Sequence, residues 1–314
     1  MLQYLVILLD DTSVSYCHYE NTKTTRNLIG LDDLKAGIFF AMKQNLMIQF
    51  VYPDGELPEE YHAVIESIDH HRVMPASQAV DGAEVIVLDR WDQAPEAAAA
   101  PHVACVARAD KSRLFRDVEK LAALLGKLNR INVVLTDADT FTDTDFDAYK
   151  QILSRLADAL TGQYAQGRFP QLNILTDRVL LDRMNNCNAG VENITLAPNG
   201  KFYICPAFYH EDDLDAIGNP VEGVAIRNRQ LYRIDYAPLC RRCDAYQCRR
   251  CVWLNRKTTL EVNTPSHEQC VMAHLERNKS REWLNETAAY FPGREIAEIR
   301  YLDPFDASTE RLDF

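Results

Sequence analysis

The sequence predicts an α/β protein: a partial (β/α)6 barrel over residues 1–180, then a small cysteine-rich domain with a β-hairpin and helices over residues 181–314. Three observations predict it. Short, nearly continuous apolar runs alternate with amphipathic stretches through the first 180 residues, as strands covered on both faces by crossover helices require. This regular texture stops after Asp182. Seven of the nine cysteines then fall between Cys187 and Cys270.

In chain order, the apolar runs place strands at 2–9, 47–52, 84–88, 103–107, 131–136 and 171–175. Six strands fit these runs better than eight. Helices are expected at 32–45, 59–68, 114–128 and 143–160. In the third of these, Leu114, Val118, Leu121, Leu125 and Leu128 recur at helical spacing and make one apolar face. In the fourth, Phe146, Tyr149, Ile152, Leu153, Leu156 and Leu160 do the same behind the capping candidates Thr142 and Thr144. Residues 90–101, with QAPEAAAAP, read as an exposed loop. Beyond the boundary near 180, residues 194–197 and 201–204 flank Asn199 and Gly200, a two-residue hairpin signal. The acidic stretch 206–239 reads as an irregular excursion, 268–290 as a helix, and the tail EIAEIRYLDPF as a further strand.

Composition removes several function classes. Hydrophobic residues make up 47% and charged residues 25%, the balance of a soluble globular chain. A formal net charge of -12 repels a nucleic-acid backbone. The apolar start MLQYLVILL is too short for a membrane span and lacks the basic start and small-residue cleavage site of a signal peptide. The expectation is a cytoplasmic protein with reduced thiols, in which clustered cysteines favour metal over disulfides.

The cysteine spacing is Cys187-x12-Gly200-x4-Cys205, a gap, Cys240-x2-Cys243-x4-Cys248-x2-Cys251, a gap, then Cys270. A C-x2-C pair brings two thiolates from one tight loop to one metal. Cys240, Cys243, Cys248 and Cys251 alone can close a zinc site, although the four-residue linker is short for paired zinc knuckles. That reading leaves Cys187, Cys205 and Cys270 unexplained. Seven thiols divide as four plus three, which suits two iron–sulfur clusters. Zinc stays open as the alternative. The basic residues among these cysteines, Arg241, Arg242, Arg249 and Arg250, read as compensation for negative metal–thiolate charge rather than as a nucleic-acid patch.

The pattern is similar to the SPASM domain, the cluster-binding extension of radical SAM peptide-modifying enzymes. That domain reads C-x9–15-G-x4-C, gap, C-x2-C-x5-C-x3-C, gap, C; this chain matches the first half and is one residue shorter in each of the two later spacings. The resemblance implies that Cys240, Cys243, Cys248 and Cys270 hold one 4Fe–4S cluster. It implies that Cys187, Cys205 and Cys251 hold a second, with a fourth position open or filled by another group; His210 is one candidate for it.

Radical SAM enzymes also carry C-x3-C-x2-C after the first strand, where the cluster chelates S-adenosylmethionine. Here that loop runs from Ser13 through Tyr16, Cys17 and Tyr19 to Glu20, and only the middle cysteine remains. Asp54, Gly55, Glu56 and Leu57 resemble a degraded form of the family's GGEP element. One thiol cannot hold a 4Fe–4S cluster, so the first part reads as a degenerate radical SAM-like domain and S-adenosylmethionine is not expected to bind. Cys17 reads as a small half-buried residue at a strand end.

Three stretches narrow the resemblance to the CXXX repeat peptide maturase group: DDTSVSYCHYENT, VVLTDADTFTDTDF and LTDRVLLDRMNNCNAGVENITLAPNGKFYICPAFYH. This implies an iron–sulfur protein of a ribosomal peptide maturation system, binding a cysteine-rich precursor peptide and modifying it or presenting it for modification. A second modification protein is a further partner; no nucleic acid and no membrane is expected. A zinc-stabilised, non-catalytic binding module is the alternative. Other candidates are Asp137 and Asp139 for a cation or basic group, Asp143, Asp145 and Asp147 as helix-capping charges, and Asp177 and Arg178 as a site or an ion pair. His70 and His71 read as a solvated loop.

Overall fold

The computed structural model describes residues 2–293 apart from 22, 80–81, 181–186, 244, 246–247 and 249. The described strands make a mostly parallel sheet of nine, the α/β class the apolar runs predict. The tail strand expected in EIAEIRYLDPF lies outside the described residues, as does Arg249.

The elements run β1 (Tyr4–Leu8), α1 (Leu31–Gln44), β2 (Met47–Val51), α2 (Glu59–Ile65), β3 (His71–Pro75), β4 (Val85–Val87) and β5 (Ala104–Ala109). Next come α3 (Lys111–Leu124), β6 (Arg130–Leu135), α4 (Asp143–Ala165), β7 (Gln171–Leu172) and α5 (Asn173–Leu180). Then follow β8 (Asn193–Leu196), β9 (Phe202–Tyr203), α6 (Pro206–Glu211), β10 (Gly218–Asn219), β11 (Gly223–Val224), α7 (Val252–Thr259) and α8 (His267–Glu286).

The chain packs as two compact units, Met1–Arg108 with Asn188–Arg229, and Ala109–Cys187 with Gln230–Phe314. In the first, β1 is central: it pairs in parallel with β2, Tyr4 opposite Met47, and with β8, Tyr4 opposite Asn193. Parallel pairing continues from β2 to β3 to β4 to β5. Leu5, Ile7, Leu8, Ile48, Phe50 and Ile86 are buried, as parallel strands covered on both faces require. The turn at Asn199 and Gly200 closes the antiparallel β8–β9 hairpin, Gly200 taking a φ of +75° that a side chain would strain. At Gly37 of α1, an added Cβ would lie 2.2 Å from Leu196 Cδ2, so glycine lets the helix approach β8 closely.

In the second unit β6 and β7 pair in parallel, Ile131 opposite Leu172. The apolar face of α4 is buried at Phe146, Tyr149, Ile152, Leu153, Leu156 and Leu160, and Thr142 and Asp145 form the capping box that starts it. Helix α8 joins α4 and α5: Tyr149 Oη donates to Glu276 Oε1 at 2.8 Å, and Trp283 Nε1 donates to Thr161 Oγ1 at 3.1 Å.

Four expectations need correction. Among the described residues there are seven strands before residue 180, because β3 occupies His71–Pro75. His71 opens that strand, and His70 accepts from Arg72 Nε at 3.1 Å with its ring against Phe50, so neither lies in a solvated loop. The strand expected at 171–175 stops at Leu172, where α5 begins. The stretch 206–239 carries α6, the β10–β11 hairpin and three 3-10 turns instead of an irregular loop.

Candidate metal centre

The second unit gathers most of the cysteines by local turns. A 3-10 turn spans Cys240–Arg242, and Cys243 N donates to Cys240 O at 3.1 Å, so the two sulfurs of this C-x2-C flank one turn. Ala245 N donates to Cys243 Sγ at 3.4 Å, and Cys248 N returns to Ala245 O at 2.9 Å. Cys251 caps α7, its Sγ accepting from Leu254 N at 3.4 Å. Cys270 lies in the first turn of α8, behind the N-cap Ser266.

Burial and charge raise three of these thiols. Burial pushes the Cys248 thiol well above its ordinary range, and charge on Cys240, Cys243 or Cys270 adds to the push. Burial pushes Cys251 up to about 12, with Cys187 as its charged neighbour. Cys240 is also raised by burial and by Cys243, against the opposing charge of Arg250. Charge thus couples Cys248 to Cys240, Cys243 and Cys270, and Cys251 to Cys187. Without a cation the raised thiols of Cys240, Cys248 and Cys251 favour the protonated form; a bound metal ion reverses that balance. The donor chemistry suits a soft metal. Among the described residues no three Cys, His, Asp or Glu side chains converge as a ready-made metal site, so binding would draw the sulfurs together. None of the nine cysteines is in a disulfide.

One nearby side chain was not anticipated from the sequence. His274 is 5% exposed; its Nδ1 lies 2.7 Å from Cys270 O and its Nε2 lies 4.0 Å from Cys243 Sγ. The signal was there: Cys270 and His274 stand four apart on one helix and share a face. Arg250 is buried and donates to Tyr232 O at 3.0 Å and Val262 O at 3.3 Å, so it ties loops together beside Cys240.

Cys205 belongs to the first compact unit, where it precedes α6. It acts there, with Cys17, on the buried Tyr19 hydroxyl, which burial raises well above its ordinary value. His210 stacks on Tyr19, ring centroids 5.4 Å apart, and burial lowers its pKa to about 4. The loop that matches the first-cluster position is tied by its own side chains. Ser13 Oγ donates to Val51 O at 2.8 Å. Arg108 donates to Cys17 O at 2.9 Å, to Tyr19 O at 2.5 Å and to Glu20 Oε2 at 2.8 Å. Arg26 spans from Asp10 Oδ2 at 3.0 Å to Glu56 O at 3.1 Å, and a Cβ on Gly55 would lie 2.6 Å from its Nη1. One sulfur, a serine committed to a backbone carbonyl and a glutamate committed to an arginine do not fit a three-thiolate cluster. Cys105 is fully buried with its thiol raised to about 12, a core residue.

The remaining candidates have structural partners. Asp137 accepts from Lys111 N at 3.0 Å, and its burial raises its carboxyl above the usual range. Asp139 pairs with Lys257 at 3.1 Å. Asp145 accepts from Thr142 N and pairs with Lys111 at 2.8 Å, which holds it down to about 2; Asp147 pairs with Lys150 on the surface. Asp177 and Arg178 do not pair with each other: Asp177 meets Arg130 and Arg178 meets Glu276, each at 3.0 Å.

No family model matches the chain, and no curated protein matches it. Solved structures do. The structure of native anSMEcpe with bound AdoMet and Cp18Cys peptide superposes with a TM-score of 0.63 at 12% identity, over 91% of this chain and 99% of that one. Native anSMEcpe with bound AdoMet gives 0.63 at 11% identity over 92% and 100%. At such identity the likeness is one of fold. The chain shares the α/β fold of these structures over nearly its whole length.

Proposed function

We propose that this chain is an iron–sulfur protein of a ribosomal peptide maturation system. It binds a cysteine-rich precursor peptide and either modifies it or presents it to a second modification protein. Residues 1–180 act as a degenerate radical SAM-like scaffold and 181–314 as a SPASM-like domain, in the cytoplasm where the thiols stay reduced. Cys240, Cys243, Cys248 and Cys270 hold one 4Fe–4S cluster, and Cys187, Cys205 and Cys251 contribute to a second. The charge coupling of Cys248 to Cys240, Cys243 and Cys270, with Cys240 and Cys243 flanking one turn, is the observation that carries this reading. The fold likeness to anSMEcpe, solved with a peptide, supports a peptide partner. S-adenosylmethionine has no place in it, because the Ser13–Glu20 loop lacks the ligands and is tied by Arg108. No helix among the described residues is long and apolar enough to cross a membrane.

The second reading, a zinc-stabilised binding module without chemistry of its own, is favoured by His274. A thiolate and an imidazole nitrogen 4.0 Å apart suit one tetrahedral ion. Peptide binding tests the functional half. Anaerobically reconstituted protein is mixed with a labelled peptide carrying repeated cysteines, and anisotropy and mass are followed. Binding by the loaded wild type, weakened in Cys248→Ser, is expected. A loaded wild type that binds no peptide would overturn the proposal; binding without a mass change assigns the presenting role.

A further inference from the structure

In the first unit, Tyr19 and His210 bury polar atoms that the fold leaves unbonded. Tyr19 lies in the loop after β1, at the ligand-binding end of a parallel sheet, and is 2% exposed. Its hydroxyl finds no hydrogen-bond partner among the described residues, and neither does either ring nitrogen of His210, although all three atoms are shut off from solvent. The rings stack with centroids 5.4 Å apart and planes 18° from parallel, so one small group set against their edges can meet both. A buried hydroxyl or imidazole without a partner is costly, and two side by side mark a place where something bonds them. That guest is uncharged, because a charge brought here loses its hydration, and Lys23 and Asp11 nearby already neutralise each other at 3.3 Å. A phenol and a neutral imidazole each donate and accept, so the guest needs both capacities on one small group. The walls are aromatic: Tyr16 meets Tyr19 edge-on at 6.2 Å, and the Tyr209 ring lies 5.2 Å from His210. Such walls favour sulfur over oxygen, since a polarizable sulfur gains from ring contact. Solvent is close, because Lys23 lies 3.8 Å over the Tyr209 ring with its side chain 34% exposed.

We propose that Tyr19 and His210 form a subsite for the thiol of a cysteine side chain in the precursor peptide, and that they set a preference for cysteine over serine at that position. This inference rests on the reading that the chain binds a cysteine-rich peptide, and adds where one of its thiols is held.

Two labelled peptides are the probes: one with repeated cysteines, kept reduced, and its counterpart with serine at each cysteine. Anisotropy titrations use the full-length, anaerobically reconstituted chain. The wild type is expected to bind the cysteine peptide more tightly. Tyr19→Phe keeps the ring and removes the hydroxyl. It should weaken the cysteine peptide by about 2- to 10-fold, the worth of one hydrogen bond, while the serine peptide keeps its affinity. His210→Phe should act in the same direction, and the double variant should lose the preference. Iron and sulfide per chain should stay at the wild-type level, which separates this subsite from the metal centre. If His210→Phe loses its circular dichroism, the nearly isosteric Tyr19→Phe carries the test. Equal wild-type affinity for the two peptides would overturn the inference while leaving peptide binding standing. So would a Tyr19→Phe chain that is more stable to denaturant and binds both peptides as the wild type does, the behaviour of a core hydroxyl without a guest. A wild type that binds neither peptide would overturn the inference and the proposed function together.

Discussion

Glu276 orders much of the second unit through one carboxylate. It is 2% exposed and accepts from Tyr149 Oη of α4 at 2.8 Å and from Arg178 of α5 at 3.0 Å. Removing one member of a buried ion pair strands the other charge, at a cost of about 3–5 kcal/mol. Glu276→Gln should therefore lower unfolding stability by about that much in denaturant titration, and Arg178→Met in the same chain should recover part of it. His210 gives a pH signature. Burial holds its folded pKa near 4, below the ordinary 6.5, so the unfolded chain binds the extra proton between these values. Stability is then fully present above pH ~6.5 and is lost as pH falls through about 4. His210→Phe should flatten the slope between those limits in urea titrations; an unchanged slope contradicts the assignment. These residues show where sequence reading stops. Arg178 was visible as a candidate, but its partner stands 98 positions away, and no local pattern marks such a pair. The Cys270–His274 spacing, by contrast, was local and readable.

At the scale of elements, periodicity carried α1, α3, α4 and α8 because each buries one continuous stripe. Strands were read less evenly. At β7 the apolar run QLNIL looks extended throughout, yet Asn173 ends the strand. Its Oδ1 accepts from Val133 N at 2.9 Å and its Nδ2 donates to Val133 O at 3.0 Å, so the side chain supplies the next ladder rung while the backbone turns into α5. Thr176 Oγ1 then bonds Leu172 N and O. Asn173→Ala would remove both side-chain hydrogen bonds to Val133, at about 1 kcal/mol each. A drop in thermal midpoint with faster amide exchange at Val133 is expected. The β8–β9 hairpin was legible from Asn199 and Gly200, because turn chemistry is local. The parallel pairing of β8 with β1 was not, because the partners lie nearly the whole sheet apart in sequence.

For the whole molecule, alternating apolar runs sufficed for the α/β class, since covered parallel strands leave a composition signal that tolerates errors at individual strands. Chain order does not report which segments return to pack together, and the two compact units each draw on two separated stretches. The cysteine spacing is legible because ligand loops are short and local; the His274 contact and the arginine ties across the Ser13–Glu20 loop depend on tertiary placement. The proposal turns on iron–sulfur clusters held by these cysteines. Iron, acid-labile sulfide and zinc per chain in anaerobically purified protein test it most directly. About eight irons and eight sulfides per chain are expected, the sum for two 4Fe–4S clusters, falling by about half in Cys248→Ser. A chain with neither iron nor sulfide, whether or not zinc is present, would contradict it.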